Sequence, residues 1–337
     1  MDFEVASFWS GSDLSYFEHL CMKSFVDNGY KFHLFTKGPV DNIPDYVEHH
    51  DAGDIYQQSD IQSADMRYSN GIYSDIWRVH LLQKTDFMWV DLDVYCLRPI
   101  DYEKEYYFGI NYKKGSVNNC VLKIPRHSVA LHLVRNFLEA RVPIPFWWRK
   151  PRLDPLLDQI SQGDLPTLNS LPWTTTGPNV LTWALRTTGE INNGQHYSRY
   201  WHFDSALNHE YLNPEFDFEF EANPVRFIHL FGSTKLHLRY AYQGIPPKGS
   251  YMQKICDRHN ISPETAPIPN YQADPLLTNE TQIPANPQTT LFDRHPHLLG
   301  WVRRGVGGFL TIQRNAVLLV RADPVRFLGQ SDQESFA

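Results

Sequence analysis

Apolar residues along the chain follow two periods, and their alternation predicts an α/β protein. Residues 3–9 are mostly apolar and indicate a strand, whereas residues 14–25 place apolar side chains at helical spacing before Gly29, a typical helix stop. A strand over 31–36 follows, and this strand–helix–strand order favours a parallel sheet with ligand loops at its carboxyl ends. The other predicted elements are a helix over 72–82, strands over 87–90, 106–110 and 117–123, a helix over 127–140 and a strand over 225–231.

The composition changes after residue 249, which predicts a main domain over 1–250 and an extension over 251–337. Residues 262–289 are rich in proline and polar residues and indicate an irregular linker. Residues 294–326 carry six arginines and one acidic residue among apolar positions. Two interpretations remain open for this tail: a small strand pair packed on the core, or a surface that contacts anionic lipid headgroups or an anionic glycan at the membrane periphery.

Charge and cysteine content exclude several classes of protein. A net charge of −7 argues against a general nucleic-acid binder, and 42% hydrophobic with 20% charged residues indicates a globular chain. The four cysteines show no CxxC spacing, so we expect buried thiols in a reducing compartment and neither disulfides nor a zinc site. We find no signal-peptide pattern and no apolar run of membrane-spanning length, and therefore expect a cytoplasmic protein.

Two carboxylates follow the apolar strand predicted over 87–90. Asp91 and Asp93 are one residue apart, so strand geometry lets both side chains point to one place. Two hard oxygen ligands suit Mg²⁺ or Mn²⁺ better than Zn²⁺, and such ions commonly bind diphosphates in proteins. The alternative is a solvated turn, because aspartate is a common turn residue.

Asp75 and Arg78 lie three positions apart on the preceding predicted helix and therefore share a face. A local ion pair would explain them at a gain of a few tenths of a kcal/mol. The helix, however, leads directly into the strand before Asp91, which can bring all four residues around one cleft. The planar guanidinium of Arg78 suits phosphate or sugar hydroxyls.

The order of these motifs resembles a known enzyme family. Residues 73–78 followed by 89–99 are similar to the S-D-x-x-R helix and the D-x-D strand, with C-L-R-P behind it, of the sugar transferases of glycosyltransferase family 32. Further similar segments extend the resemblance over roughly residues 3–235: 8–11, 23–29, 51–52 and 176–179.

The resemblance implies a GT-A-type fold, a Rossmann-like α/β sandwich with a mixed central sheet that binds nucleotide sugars. Asp93 would then be the main metal ligand, and Asp91 would contact the ribose or donor sugar and the metal. Asp75 and Arg78 would hold the transferred sugar and the diphosphate. At the end of the first strand, the residues that would border the base are Phe8, Trp9 and Ser10.

A later segment resembles the H-x-x-G-x-x-K element of family 8 galactosyltransferases and glucosyltransferases. In this interpretation His229 completes the metal site, while Gly232 and Lys235 lie along the diphosphate. The chain departs from both families after Lys235, where it reads Leu236-His237. A packed strand histidine is the alternative for His229.

Two further segments have a resemblance-based and a plain structural interpretation. Asn118 and Asn119 are similar to an N-x-x-V-L element of the donor-sugar pocket, or cap a strand with their amides. Trp147 and Trp148 either stack on acceptor sugars or belong to the core, and residues 177–178 either shape the acceptor side or form a turn.

The expected activity is transfer of a hexose, galactose or glucose, from a UDP-sugar with Mn²⁺ or Mg²⁺ as cofactor. The resemblance implies retention of the anomeric configuration, and an acceptor hydroxyl on a glycan such as a lipopolysaccharide core or capsule precursor. Three alternatives remain: a toxin-like transferase acting on a protein, a metal-dependent phosphoesterase, and a non-catalytic glycan-binding or scaffold protein. The oligomeric state cannot be read from the sequence.

Overall fold

The computed structural model describes residues 4–57, 66–100, 104–111, 115–196, 201–202, 210–218, 225–269, 310–311 and 317–320. The helices in these ranges are α1 (Tyr16–Asp27), α2 (Met66–Lys84), α3 (Val129–Leu138), α4 (Lys150–Ser161), α5 (Val180–Thr187), α6 (Gly232–Ala241) and α7 (Tyr251–Arg258). The strands are β1 (Glu4–Trp9), β2 (Lys31–Thr36), β3 (Glu48–Asp51), β4 (Met88–Val90), β5 (Val94–Cys96), β6 (Tyr107–Ile110), β7 (Val117–Lys123), β8 (Gln195–His196), β9 (Trp201–His202), β10 (Asp217–Phe218), β11 (Phe227–His229), β12 (Leu310–Thr311) and β13 (Val317–Val320).

A seven-stranded sheet with the order β3-β2-β1-β4-β7-β6-β8 forms the centre of the fold. The strands from β3 to β4 are parallel, whereas β7 pairs antiparallel with both β4 and β6. The predicted α/β class with a mixed central sheet is therefore confirmed. A smaller sheet with the order β5-β11-β9 adjoins it, and β10, β13 and β12 form a third.

Alternate residues of the central strands supply two different cores. Ala6 and Trp89 pack with α2, α3 and α5 on one face, whereas Val5 and Val90 face the opposite side with α1. This explains the continuous apolar runs of these strands, because a strand that is covered on both faces needs no polar side. A third cluster joins α1, α6 and α7 to the small sheet.

The helix after β1 begins with a capping box. Ser15 accepts from the third residue of α1, and the carboxylate of Glu18 accepts from the Ser15 backbone N–H at 2.9 Å. The four cysteines are buried and free, as expected from their spacing. Among the described residues, no helix has the length and apolar character needed to cross a membrane.

The compact unit continues beyond the predicted boundary at residue 250. The α7 residues Met252 and Ile255 are fully buried, and Ile268 is 1% exposed in the same cluster. In addition, the Tyr16 backbone N–H donates to Ala266 O at 2.7 Å, so this segment contacts α1. The unit extends past residue 250 because α7 is amphipathic and can bury its apolar face. The proline-rich residues that follow make this pattern difficult to recognise in the sequence. The arginines of the basic tail lie outside the described residues.

Candidate active site

Asp91 and Asp93 lie where the chain passes from the large sheet to the small one. Asp91 N–H donates to Cys120 O at 2.7 Å, and Val94 N–H donates to Asp91 O at 3.1 Å, which closes a tight turn between β4 and β5. The backbone of Leu230 then donates to Asp93 O at 2.8 Å. Both aspartates are therefore held by backbone contacts at the carboxyl end of β4, as the sequence predicted.

Sheet register brings His229 to the same place. β11 pairs antiparallel with β5, and His229 lies opposite Val94, the residue after Asp93. One ligand atom from each of Asp91, Asp93 and His229 can be chosen so that all three lie within 4.8 Å of one another. The strand predicted over 225–231, far downstream of the acidic motif, thus supplies a third potential ligand.

The donor set suits Mn²⁺ or Mg²⁺. His229 Nε2 lies 3.1 Å from Asp93 Oδ1. That oxygen is shielded from solvent and receives no well-aligned hydrogen bond within the described part of the chain. A buried carboxylate oxygen without such a donor is costly unless a cation compensates it. Two carboxylates and one imidazole are acceptable ligands for Mn²⁺, so the residues present fit the expected ion.

The two carboxylates differ in their electrostatics. Burial raises the pKa of Asp91, and the adjacent Asp93 charge adds to this effect, although Arg78 opposes it. Burial also acts to raise the pKa of Asp93, but the His229 ring outweighs it, and the pKa of Asp93 lies below its usual value. Two neighbouring carboxylates with opposed shifts are typical of a site that concentrates negative charge.

Arg78 reaches this acidic pair from α2. Its Nη1 donates to Asn119 O at 2.8 Å and lies 3.3 Å from Asp91 Oδ1. The guanidinium stacks over the Trp89 ring at 4.6 Å, and Trp89 Nε1 donates to Asp91 Oδ1 at 2.7 Å. The planar group is 9% exposed and is fixed on several sides, so it provides a positive charge in a defined orientation.

Asp75 is the buried partner of Arg78 on the same helix. It accepts hydrogen bonds from Asn119 Nδ2 at 3.0 Å and from Thr176 Oγ1 at 2.8 Å, while Arg78 Nη2 lies 3.4 Å away. Burial raises the pKa of Asp75 despite these three contacts. The local ion pair is therefore present, but it belongs to a larger network.

Gly177 is needed for this network to close. A Cβ added at Gly177 would lie 2.6 Å from Asn119 Nδ2 and 2.8 Å from Asp75 Oδ1. The glycine lies in a π-helical turn, Thr175–Asn179, that leads into α5. For residues 177–178 the sequence left open an acceptor-side role or a plain turn, and it did not indicate Thr176 as a donor, because no local pattern links Thr176 to Asp75.

The side chains of Asn118 and Asn119 make different contacts, because neighbouring residues on a strand face opposite ways. Asn119 reaches Asp75, whereas Asn118 Oδ1 accepts from the Cys120 backbone N–H at 2.9 Å. Asn119 therefore belongs to the Asp75 network. Asn118 instead makes an amide contact to the backbone, which was the plain structural interpretation of this segment.

A pocket of about 320 Å³ opens beside the acidic pair. Trp9 lines it, and so does Phe8, whose ring packs mainly against Tyr73 and Trp77 at centroid distances of 5.3 and 5.4 Å. Ser10 is not among the described residues that line it. The lining residues from the predicted set are Phe8, Trp9, Arg78, Asp91, Asp93, Gly232 and Lys235.

Lys235 lines this pocket but forms an ion pair with Glu18, a residue that sequence reasoning missed. Glu18 is 4% exposed on its side chain, and its spacing from Ser15 signals only a capping residue. The ammonium of Lys235 also lies 5.4 Å from the Trp9 ring centre. The pair therefore joins α6 to α1 at one wall of the pocket.

A second pocket of about 390 Å³ lies beyond the π-helical turn, which contributes Asn179 to it. Trp147 stacks on Trp183 at 5.2 Å, and Arg152 lies 3.9 Å from the Trp148 ring centre. Both predicted tryptophans are half-buried and line this pocket, so their aromatic faces belong partly to the core and partly to an open surface.

Comparison with known proteins gives weak similarities only. No family model and no curated protein matches the chain. Similar solved structures include the PaToxG glycosyltransferase, with 14% identity, a TM-score of 0.37 and coverage of 57% of this chain and 73% of that one. The apo form of glycosyltransferase GlyE from Streptococcus pneumoniae TIGR4 shows 11% identity and a TM-score of 0.36, covering 78% of this chain and 61% of that one. Galactosyltransferase LgtC in complex with donor and acceptor sugar analogues shows 14% identity and a TM-score of 0.34, covering 77% of this chain and 95% of that one.

Proposed function

We propose that the chain is a metal-dependent glycosyltransferase with a GT-A-type fold. The observation that supports this most is the convergence of Asp91, Asp93 and His229. The two aspartates line one pocket together with Arg78, whose guanidinium lies beside Asp91. These side chains come from two sheets and a helix, so their meeting is not a local turn effect. The order of their motifs along the chain supports the same enzyme class.

Asp91, Asp93 and His229 would hold Mn²⁺ or Mg²⁺, and the bound ion would neutralise a diphosphate and stabilise the departing UDP. Arg78 contributes a second positive charge to the same pocket. Because its contacts to Asn119 O and the Trp89 ring already fix it, Arg78 loses little freedom when it binds an anion.

Asp75 is suited to orienting the transferred sugar. Each oxygen of a carboxylate has two acceptor positions, and the hydrogen bonds from Asn119 and Thr176 use one on each oxygen. The remaining positions can accept from sugar hydroxyls. Asp75 itself is too firmly held to serve as a mobile nucleophile, so attack on the same face as the departing phosphate is the mechanism that agrees with retention.

The remaining lining residues have proposed roles at the two ends of the donor. Trp9 offers an aromatic face for the uracil base next to Phe8. Lys235 would exchange its Glu18 partner for a phosphate oxygen when the donor binds. The tryptophan- and arginine-lined second pocket is the proposed place for acceptor sugar rings.

The donor is proposed to be UDP-galactose or UDP-glucose, and the acceptor a hydroxyl on a glycan. A two-metal phosphoesterase would need a second cation about 4 Å away. The other group of histidine and carboxylate ligands among the described residues contains His33 on β2. In the sheet, His33 lies opposite Ala6 on β1, and Ala6 lies opposite Trp89 on β4. That group therefore lies two strands, or about 10 Å, from β4 and cannot share a diphosphate with Asp91.

The experiment is a panel of UDP-sugars assayed for UDP release with Mn²⁺ and with chelator. We expect one donor to be hydrolysed or transferred only with Mn²⁺, and Asp93→Asn to lower turnover by about 100-fold or more. Asp86→Asn is the control, because Asp86 is exposed and pairs with Arg126. Release of UMP or sugar phosphate in place of UDP, or full activity of Asp93→Asn, would contradict the proposal.

A further inference from the structure

A second group of ligand-type side chains lies on the edge of the large sheet. His33 is on β2, and Glu48 and His50 are on the edge strand β3. The register pairs His33 with Glu48 and Phe35 with His50. Since alternate strand residues share a face, all three side chains project from the same side of the sheet.

The three side chains are close enough to share one ion. His33 Nδ1 lies 2.9 Å from His50 Nε2 and 3.7 Å from Glu48 Oε2. One ligand atom from each residue lies within 4.8 Å of the other two. The contact between the imidazoles leaves two nitrogen atoms pointing at each other, an arrangement in which a cation can replace the shared proton.

Aromatic packing fixes both imidazole rings. His33 stacks on Phe87 at 4.4 Å and on His50 at 5.1 Å, and His50 stacks on Phe35 at 4.8 Å. His33 is 4% exposed. Rings that are already oriented lose little rotamer freedom when they bind a metal, which favours a site with defined geometry.

An outer carboxylate completes the arrangement. His33 Nε2 is buried and has no hydrogen-bond partner among the described residues, and the nearest carboxylate oxygen is Glu4 Oε2 at 3.7 Å. Histidine ligands usually direct their second nitrogen to such a group, which leaves the first nitrogen available for the metal. Glu4 would therefore orient His33 with Nδ1 towards the ion.

We propose that His33, Glu48 and His50 form a zinc-class cation site, the edge cation site, that joins β3 to β2. Two imidazoles and one carboxylate with an open fourth position suit Zn²⁺, whereas the acidic set at Asp91 and Asp93 favours Mn²⁺ or Mg²⁺. β3 has four residues and is an edge strand, so a shared ion would hold it in register and stabilise the fold.

Lys31 provides a way to test the charge balance of this site. Its Nζ lies 2.9 Å from Glu48 Oε1, and Lys31 is about half exposed. The ammonium competes with a metal for the Glu48 carboxylate. Lys31→Gln should therefore strengthen Zn²⁺ binding, a direction that a loss of structure would not produce.

The experiment measures Zn²⁺ binding by calorimetry and the accompanying change in melting temperature. It uses the full chain carrying Asp93→Asn, which removes one of the three ligands of the other metal centre. We expect one equivalent of Zn²⁺ to bind and raise the melting temperature, and His50→Gln to weaken binding at least tenfold. His49→Gln is the matched control, because His49 lies between Glu48 and His50 and bonds instead to Thr36 Oγ1 at 2.8 Å.

Glu48→Gln is a second variant that preserves the fold, since Glu48 is 49% exposed. It should also weaken binding at least tenfold. Absence of Zn²⁺ binding in the Asp93→Asn chain overturns the proposal. So does binding that survives both His50→Gln and Glu48→Gln, or that falls equally with His49→Gln.

Discussion

The absence of a side chain at Gly177 leaves room for the hydrogen bond between Asn119 and Asp75. The glycine is required for lack of space and not for unusual backbone angles, because a Cβ would lie within 3.0 Å of both Asp75 oxygens and of Asn119 Nδ2. The atoms that it would meet are the ends of the Asn119 and Asp75 side chains, which are hydrogen-bonded to each other, so moving either one away disturbs that bond. Residue-scale packing thus orients the carboxylate that we assign to the sugar.

Gly177→Ala should break this contact. Displacing Asn119 leaves the buried Asp75 short of a donor, which costs about 1–3 kcal/mol of unfolding free energy. Expressed as free energies, the loss of turnover should exceed the loss of stability, because Asp75 also loses its orientation. Thermal unfolding and UDP release are the measurements.

Gly71→Ala is the matched control for this substitution. Its new Cβ would meet only the edge of the Trp173 ring at 3.1 Å, and Trp173 is 59% exposed. Alanine is also the better helix former by about 1 kcal/mol. A Gly177→Ala protein that melts and turns over like the Gly71→Ala protein would show that the Asp75 network is not needed.

Sequence reasoning identified the charged residues of this site better than their neutral partners. Asp75, Arg78, Asp91 and Asp93 stand in a spaced motif, and the structure brings them together. Thr176, which donates to Asp75, lies 101 positions away along the chain. Neutral hydroxyls and amides of this kind occur throughout any sequence, so only the fold reveals which one is used.

At the scale of elements, the residue before α6 has an unusual backbone conformation, and α6 begins at the pocket beside Asp91 and Asp93. Phe231 precedes Gly232 and has φ 63° and ψ 143°, a region that non-glycine residues rarely occupy. Such backbone strain costs about 1–3 kcal/mol and concentrates at functional sites. The turn places the His229 ring against Phe231 at 3.9 Å and the start of α6 at the pocket.

Glu18→Gln tests the connection between α1 and α6. Glutamine preserves the capping box with Ser15 but removes the charge that pairs with Lys235. Breaking one side of a largely buried pair should lower the free energy of unfolding by about 3 kcal/mol.

Lys23→Gln provides the comparison on the same helix. It removes an ion pair with Asp27 that is partly exposed, and it should change stability by about 0.5 kcal/mol or less. Chemical denaturation of both variants measures the difference. Equal stability of the two would mean that the Lys235–Glu18 pair does not hold α6 in place.

Elements with a strong apolar period were predicted well, and short or interrupted ones were not. The strand predicted over 31–36 is β2 with the same bounds, and the helix predicted over 72–82 is the centre of α2. No helix was predicted at α4, which contains Pro155 in its interior, or at α5, which has eight residues. Most of α5 is buried, so its stability comes from tertiary packing, which local propensity does not contain. In α4 only Leu156 is buried, so its apolar pattern is weak.

At the scale of the whole molecule, α7 decides where the folded unit ends. A chain ending at residue 250 would lose Tyr251, Met252, Ile255 and Cys256, all of which are at most 5% exposed. Each large buried apolar side chain contributes about 1.5–3 kcal/mol, against a typical total stability of about 5–15 kcal/mol. We therefore expect the 1–250 fragment to lose cooperative melting, whereas a 1–269 fragment keeps these contacts.

Soluble yield and thermal unfolding of the two fragments measure this expectation. Cooperative melting of the 1–250 fragment at the temperature of the full chain would contradict this expectation and support the domain boundary at residue 250 that the composition predicts. The composition places the boundary at residue 250 because α7 directly precedes the proline-rich stretch.

Acid sensitivity is a second property of the whole molecule. Burial lowers the pKa of His19, whose Nε2 contacts Asn42 O at 3.0 Å. As the pH falls through about 6.5, the unfolded chain takes up a proton at this position before the folded chain does. Stability therefore rises with pH through this window and is lost as the pH decreases.

His19→Gln should reduce this slope, because the amide can still donate to Asn42 O but does not titrate. The difference in unfolding free energy between about pH 7 and pH 5.5 should be smaller than in the parent protein. His127→Gln, at an exposed position, should leave the difference unchanged. An unchanged slope in His19→Gln would mean that other groups set the acid sensitivity.

The metal-assisted binding of a nucleotide diphosphate is the claim on which the proposed activity depends. Its most direct test is the melting temperature with UDP, measured with Mn²⁺ and again with chelator. We expect UDP to stabilise the chain only with Mn²⁺, by about 2.7 kcal/mol at a concentration of about 100 times Kd. Asp86→Asn should keep this response and Asp93→Asn should lose it. An equal shift with chelator, or in Asp93→Asn, would contradict the account.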